Sequence, residues 1–72
     1  MKDLKRSLTV AGHRTSLSLE PEFWDALKAR SLREDKSTAA LIAEIDRARG
    51  TRNLSSAVRL YILAALQTDI SA

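Results

Sequence analysis

The sequence predicts a mainly α-helical fold with one short β-strand, and three observations carry that prediction. Residues 13–21, "HRTSLSLEP", alternate polar and apolar side chains with a period of two, whereas almost everything after them has helical spacing. Pro21, Ser37, Gly50 and Asn53 punctuate the remainder into three helices. Finally, 72 residues make one small domain with no cysteine and a single histidine, so disulfides and thiolate or all-histidine metal sites cannot supplement its core. Association with another chain is the remaining means of support.

Taken in order, residues 1–12 show no clear periodicity and end in Ala11-Gly12, which predicts a flexible basic arm. In the strand, Thr15, Leu17 and Leu19 share one face, and Arg14, Ser16 and Ser18 share the other. Pro21 ends it, because a fixed φ and a missing N–H suit the first turn of a helix. The first helix runs to about Arg33, with Phe23, Trp24 and Leu27 as its surest apolar positions and Arg30 standing where the stripe should continue. Leu19 and Trp24 have the spacing of a hydrophobic staple around Glu20 as N-cap.

"REDKS" is a polar break, and Ser37 is the next N-cap. Leu41, Ile42, Ile45 and Ala48 then form the apolar stripe of a second helix, which Gly50 stops at a C′ position. "TRN" is a short connector whose Asn53 caps a third helix, "LSSAVRLYILAALQ". Its apolar surface, Leu54, Val58, Tyr61, Ile62, Ala65 and Leu66, exceeds what one packed face requires. The chain thus divides into an arm (1–12), a strand-helix-helix unit (13–50) and a C-terminal helix packing on it (51–72). A single strand leaves its backbone N–H and C=O groups unpaired, so it must find a strand elsewhere. The economical choice is the same strand of a second copy, antiparallel about a two-fold axis.

Charge placement narrows the function. The net charge is +3, and Lys2, Lys5, Arg6 and Arg14 against Asp3 account for all of it; residues 15–72 are balanced. A localised basic segment on a neutral body is the footprint of a polyanion binder, with a solvated tail as the plainer alternative. An apolar fraction of 44% beside 29% charged residues describes a folded chain rather than a disordered one. No apolar run approaches the ~20 residues of a membrane span, and the first residues lack a signal-peptide core, so a cytoplasmic protein is expected.

Strand, helix, helix and helix in this order, with these residues, resemble the ribbon-helix-helix family of bacterial DNA-binding proteins. The likeness is carried by "RTSLSLEPEFWDALKARSLREDKSTAALIAEIDRARG", residues 14–50. More narrowly, "RTSLSLEPEFWDAL", "ALIAEID" and "NLSSAVRLYIL" resemble a short bacterial subgroup with an extra C-terminal helix, which extends the likeness to nearly everything after Gly12. The resemblance implies an intertwined ribbon-helix-helix homodimer. Two strands form a ribbon over a shared core of four helices, here Leu17, Leu19, Phe23, Trp24, Leu27, Leu41, Ile42 and Ile45.

It also implies that the ribbon enters the DNA major groove, with Arg14, Ser16 and Ser18 meeting base edges and the turn at Ser37 and Thr38 holding a phosphate. This chain departs from the family pattern twice. Arg30 stands near a usually apolar position, and Asp35-Lys36 replaces a glycine followed by an apolar residue, which makes Lys36 a candidate phosphate contact. Lys5 and Arg6 are expected to track the DNA backbone or reach a flanking groove.

Elementary chemistry supports the same residues. Arginine bonds guanine bidentately, worth about 1–3 kcal/mol of discrimination, whereas serine hydroxyls allow close approach but discriminate weakly. Arg14 should therefore dominate; the bland alternative is a solvated strand face. His13 reads as a polar flank rather than a ligand, and Trp24 and Tyr61 as core rather than stacking platforms. Glu44 and Asp46 lack a histidine or second cluster, and no nucleophile triad, phosphate loop or zinc spacing occurs, so neither enzyme activity nor a cofactor is expected.

The expected function is sequence-specific double-stranded DNA binding by a homodimeric transcriptional regulator. An antitoxin sharing the fold is one alternative, and a protein–protein adaptor that lost DNA binding is another. The third helix either completes the dimer core or offers a surface to a second dimer or a different protein.

Overall fold

The computed structural model describes residues 4–10 and 12–71. The strand read from the sequence is present as β2, His13–Leu19, but it is not alone. Leu4–Val10 forms a preceding strand, β1, paired antiparallel with β2 from Leu4↔Leu19 to Val10↔His13. The expectation of a single strand behind a flexible arm is therefore corrected for residues 4–10. The remainder of that arm, residues 1–3 and Ala11, lies outside the described residues.

The physical reason is alternation that Arg6 disguises. Leu4, Leu8 and Val10 fall on one face with Arg6 among them, and Lys5, Ser7 and Thr9 fall on the other. Only residues 11 and 12 join the strands, and Gly12 adopts φ +83°, a left-handed conformation that strains a residue bearing a Cβ. One edge of β2 is thus satisfied within the chain. Among the described residues the sheet has two strands, so the other edge of β2 has no strand beside it.

Three helices follow: α1, Pro21–Arg33; α2, Thr38–Ala48; and α3, Leu54–Ser71. Glu20 is the N-cap residue of α1, but its carboxylate makes no capping bond and instead accepts from Arg59 Nε of α3 at 2.9 Å. Leu19 and Trp24 are both buried on either side of that cap, as a hydrophobic staple requires.

α1 ends in a Schellman motif: Lys36 N–H donates to Ser31 O at 2.9 Å, and Asp35 N–H donates to Leu32 O at 3.1 Å. Asp35 occupies the left-handed position at φ +55°. Aspartate tolerates that region better than most residues, which is how the turn forms without the glycine that the resemblance implies. α2 is capped by Ser37 Oγ, which accepts from Ala40 N–H at 3.0 Å, and it gives way to Gly50 at φ +63°. Asn53 Oδ1 caps α3 by accepting from Ser56 N–H at 2.8 Å.

The core lies between the hairpin and the three helices. Val10, Leu17 and Leu19 press down from the sheet onto Trp24 and Leu27 of α1, Leu41, Ile42 and Ile45 of α2, and Ala57, Val58 and Ile62 of α3. Of the eight residues expected in a shared dimer core, all but Phe23 are therefore buried within one chain. β1 adds Val10 to this core and two contacts at its edge. The Trp24 indole N–H donates to Leu4 O at 2.9 Å, and the Arg6 guanidinium stacks 5.0 Å from the centre of the Trp24 ring. Phe23 is half-buried beneath Arg59, 5.8 Å from its ring centre. α3 spends Ala57, Val58 and Ile62 on the core and leaves Leu60, Leu63, Leu66 and Ile70 exposed.

Candidate nucleic-acid interface

Residues directly opposite in an antiparallel pair share a face, so the register of the hairpin determines what its outer surface displays. Lys5 faces Ser18, Ser7 faces Ser16, and Thr9 faces Arg14. These three cross-strand pairs span about 14 Å at the usual rise per residue. A cation stands at each end, and four small hydroxyls lie between. No carboxylate or large apolar side chain interrupts this face, and all six side chains are exposed except the half-buried Ser18. The opposite face carries Leu17 and Leu19 into the core, so the amphipathic split of 13–19 is that expected from its alternation.

Arg14, Ser16 and Ser18 are thus brought together, and Lys5 joins them from β1. Arg6 does not. It lies on the opposite face of β1, exposed and stacked on Trp24. A period of two places neighbours on opposite faces, and the indole gives the guanidinium a favourable seat.

The α2 start makes contacts of its own. Thr38 Oγ1 lies 3.2 Å from Ser31 Oγ at the end of α1, and Ser37 is occupied in capping. Lys36 ion-pairs with Glu44 at 2.7 Å and with Glu34 at 3.4 Å, and these carboxylates, Glu44 foremost, raise its pKa. These ion pairs tie the turn to α2.

Arg30 also finds its explanation here. Its Nε donates to Glu34 at 2.6 Å, and its guanidinium reaches Asp69 at 3.5 Å, where Arg33 also binds at 2.7 Å. A position expected to be apolar instead ties the end of α1 to the end of α3. Tyr61 of α3 donates its hydroxyl to the same Glu34 carboxylate. The Tyr61 bond first, and then Arg30, hold the Glu34 carboxyl down at about 2.

Sequence reasoning missed what flanks β2. An open groove of about 530 Å³ is lined by Thr15, Ser16 and Ser18 of β2, by Asn53, Leu54, Ser55 and Arg59, and by Arg49 just beyond α2. Thr15 points inward and Ser16 outward, so a groove touching both runs along the open edge of the strand. Arg49 is steadied there by Asp46 at 2.5 Å and by the Arg52 carbonyl at 2.6 Å. Ser37 and Thr38 do not line it. Lys5, Ser7 and Thr9 do alternate, but Arg6 among the apolar positions of the other face masks the strand. Nothing in spacing announces that the start of α3 lies beside β2.

Among the described residues no group of three or more histidine, cysteine, aspartate or glutamate side chains could hold a metal ion, and no helix is long and apolar enough to cross a membrane. No curated protein and no solved structure matches the chain. Against known protein families, residues 4–66 match the ribbon-helix-helix domain, a fold of DNA-binding regulators and antitoxins, and the match takes in both strands of the polar ribbon and most of α3. The chain belongs to the ribbon-helix-helix family.

Proposed function

We propose that the protein is a sequence-specific double-stranded DNA-binding regulator that acts as a homodimer and inserts a β-ribbon into the major groove. The observation that carries this reading is the outer face of the hairpin, with Lys5 and Arg14 at its ends and only small hydroxyls between. A major groove admits a two-stranded ribbon and offers a distinct donor and acceptor pattern at each base pair.

Arg14 bonds guanine, while Ser16 and Ser18 lie against neighbouring base edges. The open edge of β2 pairs with the same edge of a second copy about a two-fold axis, so that β2 and its copy form the central ribbon. Ser37 and Thr38 present the first N–H groups of α2 to a phosphate, and Lys36 neutralises Glu34 and Glu44 beside them. The leucines of the helical core support the dimer from beneath. Two copies carry twice the chain charge of +3, and the two-fold axis favours a palindromic or tandem site.

The test is to select duplexes from a random pool and compare binding to the selected and to scrambled sequences. Arg14→Ala is expected to lose about 5- to 150-fold of discrimination at each half-site, the equivalent of one bidentate arginine–guanine contact of about 1–3 kcal/mol per protomer. Equal losses on both duplexes would remove Arg14 as a reader.

A second reading is favoured by the exposed Leu60, Leu63, Leu66 and Ile70 of α3, which would suit a protein partner of the antitoxin or adaptor kind. Chemical-shift mapping with duplex DNA separates the two. Changes confined to α3, with Arg14 through Ser18 silent, would support the adaptor.

A further inference from the structure

The hairpin makes each protomer contribute two strands rather than one, and this changes what lies on DNA. If the open edge of β2 pairs with its copy, as the reading above holds, the sheet has four strands in the order β1, β2, β2, β1. Neighbouring strands lie about 4.8 Å apart, so each β2 sits about 2.4 Å from the two-fold axis and each β1 about 7 Å from it. The major groove is about 12 Å wide, which places its walls about 6 Å from the same axis. The two β2 strands fit between the walls and the two β1 strands do not. They lie over the sugar–phosphate backbones.

We propose that Lys5, Ser7 and Thr9, the outward residues of β1, form a phosphate-binding rim on each side of the base-reading β2 strands. Their chemistry fits that place: a lysine supplies a point charge, and small hydroxyls donate to phosphate oxygens without bulk that would lift β2 from the groove. The register sets Lys5 beside Ser18 and Thr9 beside Arg14, so the rim runs the full length of the reading face. Arg6 is kept out of the rim by its seat on Trp24. This inference rests on the DNA reading and on β2 pairing with its copy. It differs from the simpler arrangement in which one chain's β1–β2 hairpin alone fills the groove and β1 reads bases as β2 does.

Binding of Lys5→Ala, Ser7→Ala, Thr9→Val and Arg14→Ala is measured at several salt concentrations. The probes are a duplex selected from a random pool by the unaltered protein, and a panel of its single-base-pair variants. Lys5→Ala is expected to lower the slope of log affinity against log salt by about 2 per dimer, because two phosphate contacts are lost. It should also weaken every duplex of the panel by the same factor.

Ser7→Ala and Thr9→Val should weaken the panel just as evenly, and Lys5→Arg should restore the slope. Arg14→Ala alone should change the order of preference. A reordered panel with any β1 variant would overturn the rim, because β1 would then read bases. An unchanged slope and affinity with Lys5→Ala would overturn it as well, by taking β1 off the DNA. Failure of the unaltered protein to bind any duplex would be a different result, overturning the DNA reading and the rim with it.

Discussion

Glu34 collects donors from three parts of the chain: Arg30 one turn back on α1, Lys36 in the turn, and Tyr61 on α3. A carboxylate so placed is stabilised in its charged form, and its pKa falls from 4.5 to about 2. A depressed folded-state pKa means stability that is fully present above the unfolded value and is lost as pH falls through the folded one. The contribution of Glu34 should therefore disappear as the pH drops from about 4.5 towards 2. Thermal melting of Glu34→Gln across this range should show a shallower acid limb than the unaltered protein. The same limb in both would mean that the bonds to Glu34 add nothing net. Asp35, next in the chain, shows the residue scale working the other way. It holds a left-handed φ without glycine's freedom, because two Schellman bonds close around it.

At the level of elements, the hairpin turns on residue 12. Gly12 sits at φ +83°, and a Cβ built there would meet nothing within 4 Å, so a substitution acts through the backbone alone. Gly12→Val should cost about 1–2 kcal/mol, the penalty for an L-residue in the left-handed region, and Gly12→Asn should cost less. Urea unfolding checks both, and equal stability of all three proteins would contradict the turn geometry. The loss should fall on β1 first, since β1 is held by that turn, by its ladder to β2 and by the Trp24–Leu4 bond.

The helices were legible from their stops. Pro21, Ser37, Gly50 and Asn53 act through φ, missing N–H groups and side-chain caps, all local properties. β1 was not legible for an equally physical reason. A strand is recognised by one apolar face, and Arg6 sits in the middle of that face, made tolerable only by an indole from a helix that starts more than ten residues later.

For the whole molecule, a single chain buries most of the apolar residues of its core, while among the described residues no further strand lies beside β2 and Leu60, Leu63, Leu66 and Ile70 of α3 are exposed. The proposed dimer predicts a solution mass twice 8.0 kDa and an unfolding midpoint that rises with protein concentration. Light scattering and concentration-dependent melting test this. A monomer with a midpoint independent of concentration would remove the two-fold ribbon.

By itself the sequence determined the helices, the amphipathic split of residues 13–19, the basic end of the chain and the family, because these depend on local periodicity, capping chemistry and composition. The tertiary structure alone decided that β2 pairs with a strand of its own chain, and that Lys5 joins Arg14 on one face while Arg6 turns to the other. It likewise decided that Arg30 serves as a tie between helices, and that the start of α3 lies beside the open strand edge. Each of these rests on contacts between residues distant in the chain. Their energies come from stacking, ion pairing and strand register, which no window of neighbouring residues contains.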